Sequence, residues 1–164
     1  MAKVVLKLAD DISTDIIYPG RFMATVLPTE TPQYAFADLT EFNARLKKGE
    51  IPAGSVIVAG KNFGCGSSRE QAASCLKGPD LVIVAKHFAR IFLQNSINLG
   101  LRTVICPDIL ADEGDELEVH ADKVVNLTRE ESYPIVPLPK ARQAIIDAGG
   151  LIAYVRKRVL RSKE

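Results

Sequence analysis

The sequence predicts a mixed α/β domain built on a mostly parallel central sheet flanked by helices, and three observations carry that reading. Residues 55–59 (SVIVA) and 81–85 (LVIVA) are almost wholly apolar, the pattern of strands buried on both faces. Helical patterns lie after each of them, and a third short strand at 103–106 stops at Pro107, so 55–106 reads strand, helix, strand, helix, strand. Beyond residue 115 the pattern changes to short alternating strands at 116–120 and 123–126, with Ile135 as a further candidate, which marks a smaller antiparallel portion. A length of 164 residues suits a single domain spanning 1–164, and 47% hydrophobic with 25% charged residues is globular composition.

Taken in order, residues 4–8 form a strand, and 10–20 are polar and turn-rich. Residues 21–33 contain Pro28 and Pro32 and form a loop longer than most connections in a compact domain. Residues 34–46 carry apolar positions near helical spacing and make one or two short helices, ended by Lys47, Lys48 and Gly49. After the 55–59 strand comes a loop over 60–66, then a helix capped by Ser67 or Ser68 and running to about Leu76. A helix over 88–99 places Phe88, Ile91, Phe92, Asn95 and Leu99 on one stripe, with Gly100 as its stop. Two helices close the chain, 137–148 ended by Gly149 and Gly150, and 151–160; together they make a helical tail over 137–162.

Charge and cysteine content exclude several function classes. The net charge is +1, from 21 Lys+Arg against 20 Asp+Glu, so no overall basicity points to nucleic acid. That total conceals an uneven distribution: residues 140–164 hold seven basic and two acidic residues, which leaves the first 139 at −4. The tail reads as a solvated helix end, with a partner-docking surface and an RNA contact as alternatives. Tryptophan is absent and aromatics are 6%, a poor supply for stacking single-stranded bases. The three cysteines, at 65, 75 and 106, include no C-x-x-C, which excludes a disulfide framework or a self-contained zinc ribbon. No apolar run reaches the ~18 residues of a membrane span, and the apolar stretch at 4–6 is too short for a secretory signal, so a cytoplasmic protein is expected.

The stretch K-N-F-G-C-G-S-S-R-E, residues 61–70, holds the candidate chemistry. It lies at the carboxyl end of a buried strand, where ligands bind in open α/β sheets. Gly64 and Gly66 let the backbone approach a ligand closely. Ser67 and Ser68 bring hydroxyls to a helix start, whose free N–H groups favour an anion. Arg69 offers a planar fork for a carboxylate, and Glu70 can complete a cap or hold Arg69. The string lacks the Lys of a P-loop, the third glycine of a dinucleotide fingerprint and the G-x-S-x-G of a nucleophile elbow.

This string resembles the active-site loop of the swivelling β/β/α domain of the aconitase superfamily, and is most similar to the small subunits of isopropylmalate dehydratases. Asp11-Ile12-Ser13-Thr14-Asp15-Ile16-Ile17 is similar to that family's D-x-I-[ST]-T-D-x-I opening, and Pro19-Gly20-Arg21 to the start of its specificity loop. Residues 85–100 (AKHFARIFLQNSINLG) and 148–156 also fit, so the resemblance covers nearly the whole chain.

The resemblance implies a heteromeric hydro-lyase that isomerises 2-isopropylmalate and 3-isopropylmalate through a dehydrated intermediate in leucine biosynthesis, active only with its large subunit. By residue match, Ser67 is the base that removes the proton beside a carboxylate, and Asp15 supports it. Gly66, Ser68 and Arg69 bind substrate. A serine holds such charge only among oriented donors, as in an oxyanion hole. The resemblance places a [4Fe–4S] cluster, the Lewis acid at the departing hydroxyl, on the large subunit, with no metal ligand from this chain. Residues 21–33 form the substrate-specificity loop, contacting substrate through Phe22, Met23, Ala24 and Thr25. Ala24 stands where homoaconitase-like chains place an Arg, which favours an uncharged substituent. Gln71 departs from the His common after S-S-R-E. The alternatives are a related two-subunit hydro-lyase acting on dimethylmalate, a methylmalate-type acid or homoaconitate, and a non-catalytic or RNA-contacting module. His87, His120, Asn95, Asn98 and Arg90 read as structural.

Overall fold

A computed structural model describes residues 1–163. Seven strands form one sheet in the order β4-β3-β2-β1-β5-β6-β7. Strands β1 (Ala2–Lys7), β2 (Val56–Ala59), β3 (Val82–Ala85) and β4 (Arg102–Ile105) pair in parallel. Strands β5 (Glu116–Val119), β6 (Lys123–Asn126) and β7 (Glu131–Pro134) join antiparallel on the other side of β1. The sheet curls until Val136, just past β7, donates its N–H to the Ile105 carbonyl of β4 at 2.8 Å.

The curl gives the sheet an inside and an outside, and strand alternation sorts the side chains between them. Val4, Val56, Val58, Val82 and Val84 point inward with Leu117, Val124 and Tyr133. Val5, Ile57, Ala59, Ile83 and Ala85 point outward into a second core. That outer core is covered by α2 (Thr40–Lys47), α3 (Glu70–Lys77) and α4 (Arg90–Leu99), through Phe42, Leu76 and Phe92 among others. Strands buried on both faces are therefore apolar at successive positions, as the two V-I-V-A runs are. The crossovers β2-α3-β3-α4-β4 advance one way across the sheet, which puts both helices on one face.

Several expected elements shift. A one-turn helix, α1 (Thr14–Ile17), stands where turns were expected; Ser13 caps it, accepting the Ile16 N–H at 3.2 Å. The helix after the glycine loop starts at Glu70, and neither Ser67 nor Ser68 caps it: the N-cap position is Arg69, with no side-chain cap bond. The Arg69 N–H instead donates to the Ser67 carbonyl at 2.8 Å, a tight turn that delays the helix. Ile91 is exposed and Phe88 precedes α4; its buried positions are Phe92, Ser96 and Ile97. Gly100 ends α4 at φ +75° as expected. The last strand of the meander is β7, before Ile135. Helices α5 (Lys140–Asp147) and α6 (Leu151–Arg161) close the fold, and α6 buries no residue.

Candidate active site

The loop after β2 is an extension of the sheet. Asp11 N–H donates to the Lys61 carbonyl at 2.9 Å, Gly64 N–H to Ile12 at 2.7 Å and Thr14 N–H to Cys65 at 2.8 Å. On the other side Phe63 N–H donates to the His87 carbonyl at 3.0 Å, and Ala89 N–H returns to Phe63 at 2.9 Å. Asp10 and Asp11 accept from Lys61 N–H and the Asn62 amide at 2.7 and 2.9 Å. Held between the chain leaving β1 and the chain leaving β3, residues 60–66 present the next four side chains at a fixed place.

Gly64 is required by this arrangement on two counts, conformation and space. Its φ is +84°, and a Cβ there would lie 2.2 Å from Cγ of Phe92. Phe92 belongs to a buried cluster beneath the loop, edge-on to Phe63 at 5.2 Å and stacked with Phe88 at 6.2 Å. The backbone therefore rests directly on an aromatic ring. Gly66 is needed for conformation alone: φ is +96°, with room for a methyl group.

Ser67 is exposed, and a hydroxyl from α1 steadies it. The Thr14 hydroxyl donates to the Ser67 carbonyl at 2.9 Å and lies 3.5 Å from the Ser67 Oγ. Thr14 has one hydroxyl proton, already given to that carbonyl, so across the longer contact Ser67 is the donor. Sequence reasoning missed this residue, although the signal was present: a hydroxyl stands at one of the inward positions of 12–17, beside Ile12 and Ile17.

Arg69 is held by Asp15, 54 residues away, rather than by the adjacent Glu70. Its Nη1 donates to Asp15 Oδ1 at 2.6 Å and to the Tyr18 carbonyl at 3.1 Å. The same Asp15 oxygen accepts the Gly20 N–H at 2.9 Å. The Arg69 bond, aided by that N–H, holds the Asp15 carboxyl below the ordinary carboxylate range. Among the described residues Nε and Nη2 of Arg69 have no hydrogen-bond partner, so one edge of the fork is anchored and donors remain for a carboxylate. No hydrogen bond joins Asp15 to Ser67; the Asp15 carboxylate holds Arg69 and the Gly20 N–H instead. Asp15, Gly66, Ser67 and Ser68 share this exposed surface, with Arg69 half-buried behind them.

Residues 10–108 match the family described as the aconitase C-terminal domain. The chain is 46% identical over 156 residues to the 3-isopropylmalate dehydratase small subunit of Moorella thermoacetica, covering 92% of this chain and 91% of that one. It is 43% identical over 157 residues to the protein of that name from Methanosarcina mazei, covering 93% and 94%. The crystal structure of 3-isopropylmalate dehydratase from Methanocaldococcus jannaschii superposes with a TM-score of 0.87 at 36% identity, over 98% of this chain and 96% of that one. The chain belongs to the family of 3-isopropylmalate dehydratase small subunits.

The cysteines of this small-subunit family member do not form a cluster site. Cys75 lies in the outer core and Cys106 in the inner one, on opposite faces of the sheet, while Cys65 sits in the loop. Burial raises both buried thiols, Cys106 to about 11, away from the thiolate form that binds iron. Among the described residues no group of three His, Cys, Asp or Glu could hold a metal ion.

The 21–33 segment packs beside the loop. Gly20–Phe22 and Thr31–Tyr34 are 3-10 turns. Phe22 stacks on Tyr34 at 4.1 Å and turns inward, whereas Met23 and Ala24 are exposed and Thr25 is half-buried. His87 takes part through its carbonyl; His120 pairs with Glu118 at 3.3 Å, remote from the loop. A hollow of about 1020 Å³ opens at the amino ends of the parallel strands between Val56, Val82, Arg102, Leu117 and Leu138. It contains none of the candidate residues. The basic tail lies on α5 and α6, and no helix among the described residues is long and apolar enough to cross a membrane.

Proposed function

We propose that the chain supplies the proton-transfer base and a carboxylate clamp to a hydro-lyase of the 3-isopropylmalate dehydratase type, in leucine biosynthesis in the cytoplasm. The observation that carries the reading is Arg69, tethered by Asp15 on one edge of its fork beside an exposed, steadied Ser67, in a chain that matches small subunits over nearly its whole length.

Arg69 and Ser68 bind a carboxylate of the substrate. That contact fixes the neighbouring carbon over Ser67, whose Oγ, ionised to the alkoxide, accepts its proton as base and returns it to the other carbon on rehydration. Gly66 lets the backbone lie close to the bound acid. Burial of the aromatic cluster under Gly64 keeps these groups in place without motion at the moment of transfer. A large subunit completes the site and carries a [4Fe–4S] cluster, which supplies Lewis acidity at the hydroxyl. Met23 and Ala24 face the alkyl substituent, with Phe22 and Thr25 shaping the turn that bears them; an uncharged surface there suits isopropyl.

The test is reconstitution. Mixed with its large subunit under anaerobic, iron-replete conditions, the chain is expected to interconvert the two isopropylmalates, and alone it is expected to be inactive. Turnover by the purified chain without iron would overturn the reading.

A further inference from the structure

The turn at Phe22–Thr25 is held by two side chains that neither motif includes. Tyr18 is fully buried, and its hydroxyl lies 3.1 Å from the carbonyls of both Phe22 and Thr25, the first and last residues of the turn. Thr25 N–H closes the same turn on Phe22 at 3.0 Å. Burial pushes the Tyr18 phenol above its ordinary value, so it remains a donor throughout the working range. Gln71, in the first turn of α3, donates its amide to the Met23 carbonyl at 3.3 Å. Tyr18 has one phenolic proton to divide between the Phe22 and Thr25 carbonyls, so with Gln71 two side-chain donors hold the turn from outside. Tyr18 also accepts from Arg69 through its own carbonyl at 3.1 Å. One residue therefore touches both the carboxylate clamp and the turn, and Tyr34, edge-on to Tyr18 at 6.2 Å, stacks on the Phe22 ring at 4.1 Å.

We propose that Tyr18 and Gln71 are positioning residues that set the spacing between Arg69 and the 22–25 turn, and so decide which alkyl substituent a bound malate can carry. The proposal rests on the functional reading above. A substrate held at its carboxylate end by Arg69 reaches the turn with a fixed length of carbon skeleton. Loosening the turn changes the fit of the substituent and leaves proton transfer at Ser67 alone.

Two measurements test it. In the isolated chain, Tyr18→Phe and Gln71→Leu are expected to speed amide hydrogen exchange over residues 21–26 while β2 and β3 keep their protection; unchanged exchange in both variants overturns the positioning role. In the reconstituted enzyme, each variant is expected to raise KM for isopropylmalate by about three- to tenfold, the weight of one hydrogen bond. With kcat within about twofold, the preference should shift toward methyl- and dimethylmalate, and Gln71→His, which keeps a donor, should restore the wild-type ratio. A loss equal on all three acids, or none, overturns the specificity role. A wild-type pair inactive on every alkylmalate overturns the functional reading and this proposal with it; an active pair with an unmoved KM ratio overturns this proposal only.

Discussion

The two ends of the parallel sheet are built from the same strands and could hardly differ more. At the carboxyl ends, glycines at positive φ, the three aspartates Asp10, Asp11 and Asp15, and the Arg69 guanidinium crowd into one largely exposed surface. At the amino ends the sheet opens into a hollow of about 1020 Å³ whose walls are mainly apolar, with Arg102, Glu118, His120, Lys140 and Asp147 among its lining. Concavity is ordinarily the first guide to a ligand site. On the function proposed above it misleads, because that reading divides the site between two chains and leaves this chain's half as a platform. The hollow follows from curling a seven-stranded sheet whose inner face is lined by valines.

The largest effect expected at the carboxyl end is on proton transfer. Ser67→Ala should lower kcat of the reconstituted enzyme by about 10²–10⁴-fold, the usual contribution of a positioned acid or base. Because Ser67 is exposed and caps no helix, Tm of the isolated chain should hold. A near-normal rate would remove it as the base. Next comes the platform itself. Gly64→Ala combines positive φ with a methyl group driven into Phe92, and should destabilise the chain by about 3 kcal/mol in denaturant unfolding. Gly66→Ala, strained but unobstructed, should lose less; equal losses would show that Phe92 yields.

How far this division could be read from the sequence depends on the range of the interaction. The V-I-V-A strands were legible because burial on both faces leaves a continuous apolar run, and Gly100 because a helix stop is local. Ser67 and Ser68 look like caps because Ser commonly caps helices, but a turn closing on the Ser67 carbonyl postpones the helix to Glu70. Helix α1 has four residues, too few for a period to show. Strand β7 contains Pro134, a residue tolerated at the edge where β7 lies and discouraging to a strand reading elsewhere. The motif identified Arg69 and Asp15 separately; their pairing spans 54 residues and has no local signature. Tyr18 and Gln71 fall outside the motif strings or depart from them, and only folding shows what they hold.

A smaller effect separates anchoring from clamping. Arg69→Lys keeps the charge but loses the fork, so one ammonium cannot serve Asp15, the Tyr18 carbonyl and a substrate carboxylate together. Its kcat/KM should fall by about 10- to 100-fold, the range for hydrogen bonds to a charged group. An unchanged value would mean that the clamp lies elsewhere.

Acid should expose a second contrast, in the antiparallel portion. Asp115 accepts from the Asn126 amide and from Arg129 Nε, both at 2.9 Å, and with a backbone N–H from Asp112 this network lowers its carboxyl to about 2. The unfolded chain, with an ordinary value of 3.8, takes up the proton first as pH falls. The network's stabilisation is therefore complete above about pH 5 and lost between about pH 4 and pH 2. Asp115→Asn should lower Tm at neutral pH and flatten its decline over that interval, with catalysis unchanged.

The smallest effect belongs to the hollow, and it is the one that can break the contrast between the two ends. His120 and Lys140 line it and are exposed. Surface substitutions away from special features usually stay within about 0.5 kcal/mol. His120→Ala combined with Lys140→Ala should therefore leave Tm of the isolated chain within a few degrees and kcat/KM of the reconstituted enzyme within about twofold of wild type, against the loss of about 10²–10⁴-fold in kcat expected for Ser67→Ala at the opposite end. If the pair instead lowered activity at unchanged Tm, the amino-end hollow would be contributing to the reaction, and the assignment of all chemistry to the carboxyl-end platform would have to be given up.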